Sequence, residues 1–587
     1  MHNYSKKISL ILILSLSIIP AAYSEKQIKD LAPVTDAVLE NPDASDWLMW
    51  RRTLDSWGFS PLKEINANNV TGLQLVWTRE LVEGGMQEGT PLVYKGIMYM
   101  PNPKDVIQAM DAATGELIWE YRRTMPEDLA EQVGGAAETT RNLAIYGNLI
   151  IHTTNDDYII ALDAASGKLV WETQIVDYKN QPDQQSNGPI IVKGKAISGR
   201  GCFPRSGPTA CVITAHDAMT GKEVWRFFNI QQEGVADDTW GDIPWEERWH
   251  VGSWMMPSYD PDLELIYMGT SVTAPAPKFL LAGDDKQYLY HNSTLALKPD
   301  TGELAWYYQH LVDHWDLDHP FERYLIDSAV APDPAEVSWI NPDIKPGEMR
   351  KIVTGIPGKT GVIYTLDRET GEFLWARPTV MQTVVGSIDG KTGKATVNPD
   401  MLFTKNGEEK FVCPSTSGGK MWTAGSYSPL TKIMYQPVQN LCMNMAVTMD
   451  KPDPQALYGV FGRLVPAPGT ENLGAVYAVS VETGKTIWKY EQRATTTSMV
   501  ATAGGIVFGG DSIGVFRAFD QSTGKILWQT DLGSTVTGYP ISYAVNGRQY
   551  IAVSTGYTIT TLSHLRLTPE LKPGSENKLY VFAITKE

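Results

Sequence analysis

Between His310 and Asp327 the sequence runs HLVDHWDLDHPFERYLID, its densest stretch of polar and titratable side chains. Asp316 and Asp318 stand two residues apart, so in an extended backbone both carboxylates leave one face and can jointly hold a hard cation, which takes several oxygen ligands. His310, His314 and His319 flank them, and imidazoles widen the reading to a transition-metal site. The competing reading of the same stretch is a solvated, turn-rich loop. Four cysteines add a second chemistry: Cys202, Cys211, Cys413 and Cys442. Three pairings exist, and proximity favours Cys202 with Cys211 and Cys413 with Cys442, each closing a loop within one region. No Cys-x-x-Cys-His occurs, which excludes covalently attached c-type haem.

The N-terminus bears on those thiols. Lys6 and Lys7, the apolar run Ile8 to Ile19, Pro20 and the small-residue site Ala22-Tyr23-Ser24 read as a secretory signal peptide over residues 1–24. An exported, periplasmic chain would meet an oxidising compartment, where thiols pair. No later stretch reaches the roughly 18 to 20 apolar residues that span a bilayer. With 43% hydrophobic and 20% charged residues the chain can bury a large core, so disorder is excluded as its main state. Lys+Arg 50 against Asp+Glu 67 gives a net charge of −17, which argues against nucleic acid or an anionic membrane and suits a basic protein partner.

The elements that must position these groups come from a repeat, Ala-x-Asp-x-x-Thr-Gly-x-x-x-Trp. Its copies are AMDAATGELIW ending at Trp119, ALDAASGKLVW at Trp171, AHDAMTGKEVW at Trp225, ALKPDTGELAW at Trp306, TLDRETGEFLW at Trp375, AVSVETGKTIW at Trp488 and AFDQSTGKILW at Trp528. A degenerate eighth, VTGLQLVW, ends at Trp77. Each copy predicts a strand, a turn in which Gly takes a positive φ and the polar side chains cap the backbone, and a second strand ending in Trp. A lone hairpin cannot bury its faces, so eight units imply stacking, each Trp packing between neighbours. The expectation is an all-β, eight-bladed propeller with loop insertions over residues 25–587, closed by the C-terminal strand LYVFAITKE. The widest gaps, before Trp306, Trp375 and Trp488, predict loops that build the site. Periodicity alone also allows a noncatalytic binding scaffold.

The repeats, the HWDLD cluster, MQEGTPLVYKGIMY at residues 86–99 and CPSTSGGKMW at 413–422 together resemble the soluble quinoprotein alcohol dehydrogenases, enzymes dependent on pyrroloquinoline quinone (PQQ). The resemblance runs from about Asp46 to the C-terminus. It implies PQQ contacts at Glu88, Arg141, Thr154 and a stacking Trp254, a basic group on the quinone at Lys359, and a catalytic Asp316. A flat tricarboxylate wants an aromatic plate, cations and hydroxyl donors, which these residues supply. The implied reaction is oxidation of an alcohol to an aldehyde or ketone. Asp316 would be the general base, a metal would polarise the quinone carbonyl, hydride would pass from the carbinol carbon, and Lys359 would stabilise the oxyanion. With no haem in the chain, electrons would leave to a separate soluble cytochrome c. A homodimer is compatible with the pattern, and a noncatalytic descendant of the family is the rival reading. Cys413 and Cys442 also match a disulfide of the methanol dehydrogenases.

Departures from the family are equally specific. Its adjacent-cysteine disulfide would fall near Gly135-Ala136, where a glycine-rich backbone stands instead. Its metal-binding Glu has no counterpart in SGRGCFPRSGPTAC, residues 198–211, which contains no carboxylate. Its metal-binding Asn falls in GTSVTAPAP, where only Ser271 and Thr273 offer side-chain oxygens. Met421 and Thr496 stand where an Asn and a Trp are expected. Asp316, Asp318, Ser271 and Thr273 therefore remain as the protein's ligands for a Ca²⁺ or lanthanide ion; the extra Asp318 favours the trivalent metal, but the missing Glu offsets that gain, and the preference is slight.

Overall fold

The computed structural model describes residue 28 and residues 31–133 and 139–585. The expected signal peptide, 1–24, and Gly135-Ala136 lie outside the described residues. Eight sheets of four or more strands are built on four-stranded antiparallel units, one of them also carrying the short parallel strand Phe59–Ser60 beside Thr496–Thr502. The first is Leu92–Tyr94, Ile97–Asn102, Val106–Asp111 and Leu117–Arg122.

The seven full copies of the repeat each form the hairpin joining the third strand of a blade to the fourth, whereas the degenerate VTGLQLVW supplies a single outer strand. In the copy ending at Trp528, Asp520 Oδ1 accepts from the backbone N–H of Ser522 at 3.0 Å and of Thr523 at 2.9 Å, and from the Thr523 hydroxyl at 2.8 Å. Gly524 follows at φ 72°, the left-handed conformation that reverses the chain. The same glycines permit a second contact. A Cβ on Gly167 would lie 2.5 Å from the Trp119 ring, and one on Gly302 would lie 2.5 Å from the Trp225 ring. These tryptophans thus lie against the turn of the next blade, and in three of the copies the indole N–H also bonds there: Trp119 to Ala164 O at 3.0 Å, Trp225 to Pro299 O at 2.9 Å, Trp488 to Gln521 O at 2.9 Å. Trp528 completes the circuit on Phe582, ring centroids 5.4 Å apart.

Closure joins the two ends of the sequence. Ile541–Val545, Arg548–Thr555 and Lys578–Ile584 form three strands of the last blade, and Leu73–Glu80 supplies its outer strand. Leu73 faces Ile584 and Glu80 faces Lys578 in the antiparallel ladder. The C-terminal strand therefore closes the ring as expected, and the VTGLQLVW segment is its partner.

The wide gaps hold extra structure. Between Trp375 and Trp488 a hairpin, Val385–Ile388 with Ala395–Val397, and a three-stranded sheet, Glu409–Val412, Leu441–Val447 and Val460–Pro466, are added to the blade. A helix, Ile559–Leu565, is inserted in the closing blade, its first turn capped reciprocally by Thr558 and Thr561. Cys202 pairs with Cys211 and Cys413 with Cys442, the two disulfides expected from proximity.

Candidate active site

Strand direction alternates in a meander, so the connections from outermost strand to next blade and from second to third strand open on one face of the ring, opposite the repeat turns. The residues expected to hold the cofactor and the metal lie in such connections. Glu88, Arg141, Trp254, Asp316 and Asp318 fall between blades, and Thr154, Ser271, Thr273 and Lys359 fall between second and third strands.

The Asp316 loop follows the outer strand Leu304–Gln309. It is not extended. Asp316 sits at φ 67°, a left-handed conformation that costs a residue with a side chain about 1 kcal/mol or more and is held by its surroundings. What holds it is Asp313, whose Oδ1 accepts from Trp315 N at 2.7 Å and whose Oδ2 accepts from Leu317 N at 2.5 Å and Asn292 Nδ2 at 3.0 Å. The two carboxylates converge, as the spacing predicted, but through this turn and not along a strand. Lys359 Nζ lies 2.8 Å from Asp316 Oδ1 and 2.9 Å from Asp318 Oδ2, all three side chains being buried. Burial pushes the Asp316 carboxyl well above the ordinary carboxylate range. Asp318 is held below it: burial opposes, but Lys359 and the Val272 N–H, 2.9 Å from Oδ1, prevail.

The histidines turn elsewhere. His310 stacks on His319 with centroids 4.9 Å apart and meets the Thr294 hydroxyl at 2.8 Å, while His314 Nδ1 lies 3.7 Å from Asp284. Burial keeps them neutral, lowering His319 to about 3. Among the described residues no group of three or more His, Cys, Asp and Glu side chains is arranged to hold a metal.

A second group gathers the expected cofactor contacts. Arg141 pairs with Glu88 at 2.6 Å, donates to Ser186 Oγ at 2.6 Å and places its guanidinium 5.4 Å from the Trp254 ring centroid. Trp254 is braced edge-on by Phe321 at 5.4 Å. Around them Arg141 Nε, Thr90 Oγ1 and Trp422 Nε1 are buried donors without a partner. Native interiors rarely leave donors unpaired, so this set fits an acceptor-rich anion lying against an aromatic plate, as PQQ is. Thr154 is otherwise engaged: its hydroxyl donates to Asp156 Oδ1 at 2.5 Å and accepts from Tyr158 N at 3.2 Å. Its neighbour Thr153 carries the buried hydroxyl that has no partner.

For a hard cation the donor set is lean. Ser271 Oγ already accepts from Gly252 N at 2.7 Å and donates to Val272 O at 3.2 Å. Thr273 Oγ1 is buried and unpartnered, which leaves it, Asp316 and Asp318 as available oxygens. Cofactor oxygens would have to complete such a shell.

Three features escaped the sequence reading. Asp313 stands in the quoted cluster, but its capping role depends on a turn the cluster does not announce. Lys420 and Glu322 form a fully buried pair at 2.6 Å, with Gly425 N donating to the same Glu322 oxygen at 2.8 Å. A cavity of about 660 Å³ opens over Asp316, roofed by the insertions around Val460–Pro466 and Ile559–Leu565.

Comparison with known proteins agrees with the propeller fold. Residues 47–392 and 470–551 match the PQQ family profile described as glucose/ethanol/alcohol dehydrogenase, beta-propeller domain. The chain is 30% identical to the dehydrogenase subunit of a quinone alcohol dehydrogenase from Gluconobacter oxydans, over 87% of this chain and 70% of that protein. It is 29% identical to subunit 1 of the methanol dehydrogenase [cytochrome c] of Methylobacterium organophilum, over 95% and 90% of the two chains. A solved europium-containing methanol dehydrogenase superposes with a TM-score of 0.83 at 26% identity, covering 93% of this chain and 99% of that one.

Proposed function

Because the chain belongs to the PQQ-dependent glucose/ethanol/alcohol dehydrogenase family, we propose that it oxidises an alcohol to an aldehyde or ketone with PQQ held by Glu88, Arg141, Trp254 and the hydroxyl at Thr153 or Thr154. The observation that carries the reading is that Asp316 alone of the two aspartates lines the 660 Å³ cavity, a volume in the range of small-molecule sites. An alcohol entering there meets that carboxylate first.

Asp316 accepts the hydroxyl proton. Lys359 holds its carboxylate and that of Asp318 in fixed positions and offsets their charge, so the base is aimed before substrate arrives. Asp313 keeps the loop in the turn that points Asp316 at the cavity. The roof formed by the insertions limits access of water to the proton-transfer site. When bound, PQQ supplies the two-electron acceptor for the carbinol hydride.

A Ca²⁺ or lanthanide ion is proposed at Asp316, Asp318 and Thr273, with Ser271 behind them. The lone hydroxyl of Thr273 and the paired carboxylates support it. Electron transfer to a separate soluble cytochrome c is proposed from the acidic balance of the chain, which suits a basic protein partner. Export to the periplasm with removal of residues 1–24, leaving one propeller domain over 25–587, is proposed from the N-terminal pattern and the two disulfides. Among the described residues no helix is long and apolar enough to cross a membrane.

Reconstitution tests the reading directly. The protein loaded with PQQ should gain the cofactor's near-ultraviolet absorbance and reduce a dye when given primary, secondary or polyol alcohols. A noncatalytic scaffold would take up no PQQ and reduce nothing.

A further inference from the structure

The cavity above Asp316 has a chemical character of its own. Its rim is formed by the edge strand Val460–Pro466 on one side and the helix Ile559–Leu565 on the other, two insertions that the propeller itself does not need. Two arginines line it, Arg463 from the strand and Arg566 just after the helix, and Asp316 is the sole carboxylate in its lining. Neither guanidinium has an ion-pair partner among the described residues. In a chain with 67 acidic residues against 50 basic ones, nearby carboxylates to neutralise an exposed arginine are easily supplied, yet none is placed here. The remaining walls mix apolar Met443, Val460, Leu464 and Leu567 with the hydroxyl-bearing Thr416, Ser417, Tyr458 and Ser563, and Phe461 stands at the mouth, 75% exposed. Phe461 and Arg463 are two residues apart on an extended strand and so share a face, an apolar plate beside a cation.

From this we infer that the substrate is an amphipathic alcohol with an anionic group remote from its hydroxyl, an ω-hydroxycarboxylate or a compound of the same charge and shape. The hydroxyl end goes down to Asp316, the apolar stem lies along Phe461 and the aliphatic walls, and the anion stays at the rim between Arg463 and Arg566. The rim is where an anion belongs on electrostatic grounds, since nearer the base it would meet the carboxylates of Asp316 and Asp318. Guanidinium forks recognise carboxylates through paired N–H donors, and two of them without internal partners need lose no existing bond to do so. The inference rests on the dehydrogenase reading above, and adds to it the class of molecule oxidised.

The test compares ω-hydroxycarboxylates with 1-alkanols of the same chain length, using full-length protein loaded with PQQ and a dye acceptor. The acid should show the higher kcat/KM, mainly through KM, and its advantage should shrink as salt is raised, because exposed charges are screened. In Arg463→Gln/Arg566→Gln the ratio of kcat/KM for acid over alkanol should fall about tenfold or more, as expected for loss of charge-assisted hydrogen bonds. Arg463→Lys/Arg566→Lys should recover part of it. Equal use of acid and alkanol by the unmodified enzyme, or an unchanged ratio in the glutamine variant, would overturn the substrate class while leaving the dehydrogenase intact. Bound PQQ with no turnover of either compound or of the wider alcohol panel would overturn both.

Discussion

Asp313 fixes the position of Asp316 by capping the turn between them, its two carboxylate oxygens accepting the backbone N–H groups of Trp315 at 2.7 Å and Leu317 at 2.5 Å. Asp313 does not line the cavity and Asp316 does. The proposed base is therefore aimed by a residue outside the cavity lining.

Replacing Asp313 with alanine removes both acceptors and frees a strained backbone. We expect kcat to fall about tenfold or more with KM little changed, and stability to fall by about 1–3 kcal/mol for the two buried donors left unpaired. Asp313→Asn retains one acceptor oxygen and should lie between the two. Equal kcat in all three proteins would show that the turn holds without its cap.

Asp316→Ala should reduce dye turnover about a hundredfold to ten-thousandfold, the usual contribution of a general base. PQQ should stay bound, because Glu88, Arg141 and Trp254 are untouched, and the near-ultraviolet absorbance reports this independently of rate. Near-normal turnover would remove Asp316 from its role.

Metal dependence separates the two aspartates. Asp318→Ala should weaken activation by a lanthanide more than activation by Ca²⁺, since the loss of one carboxylate costs a trivalent ion more. Titration of the PQQ-loaded variant with each ion, followed by absorbance as well as turnover, reads the difference. Equal losses, or full activity in chelator-treated enzyme, would take Asp318 out of the ligand set.

The ring itself makes a prediction about glycine. Gly167 and Gly533 have nearly the same φ, 70° and 76°, but a Cβ on Gly167 would lie 2.5 Å from the Trp119 ring and one on Gly533 would meet nothing within 4 Å. Gly533→Ala should cost only the conformational penalty, about 1–2 kcal/mol. Gly167→Ala should cost about 1–3 kcal/mol more, the price of overpacking. Denaturant unfolding of the pair isolates the blade-to-blade contact from the turn.

The fold was legible because its unit is local. An Asp cap, a left-handed Gly and a Trp are spaced within one hairpin, and that spacing also dictates how consecutive blades meet. The site was legible only where a residue sits in a motif: Asp316, Asp318, Lys359, Glu88, Arg141 and Trp254 were all reachable this way, and the structure brings them to one face. The extended geometry expected for Asp316 and Asp318 failed, since nothing in their spacing encodes a turn that Asp313 caps from three residues away. Lys420 and Glu322 meet across 98 positions, and no short-range pattern links such a pair. Thr153 and Thr154 differ only in which hydroxyl the Asp156 turn consumes, a detail settled by packing.

The clasp between Leu73–Glu80 and Lys578–Ile584 sets the order of events when the chain folds. Nearby, Asn577 donates to the carbonyl of Val82 across 495 positions. Bringing such distant segments together costs about 5 kcal/mol of chain entropy, since the cost grows only with the logarithm of length, so stability suffers little. Time suffers more, because contacts of high sequence separation form late. Leu73–Glu80 thus keeps an open edge until Lys578–Ile584 has been synthesised, and during that interval it is exposed to pairing with the wrong neighbour.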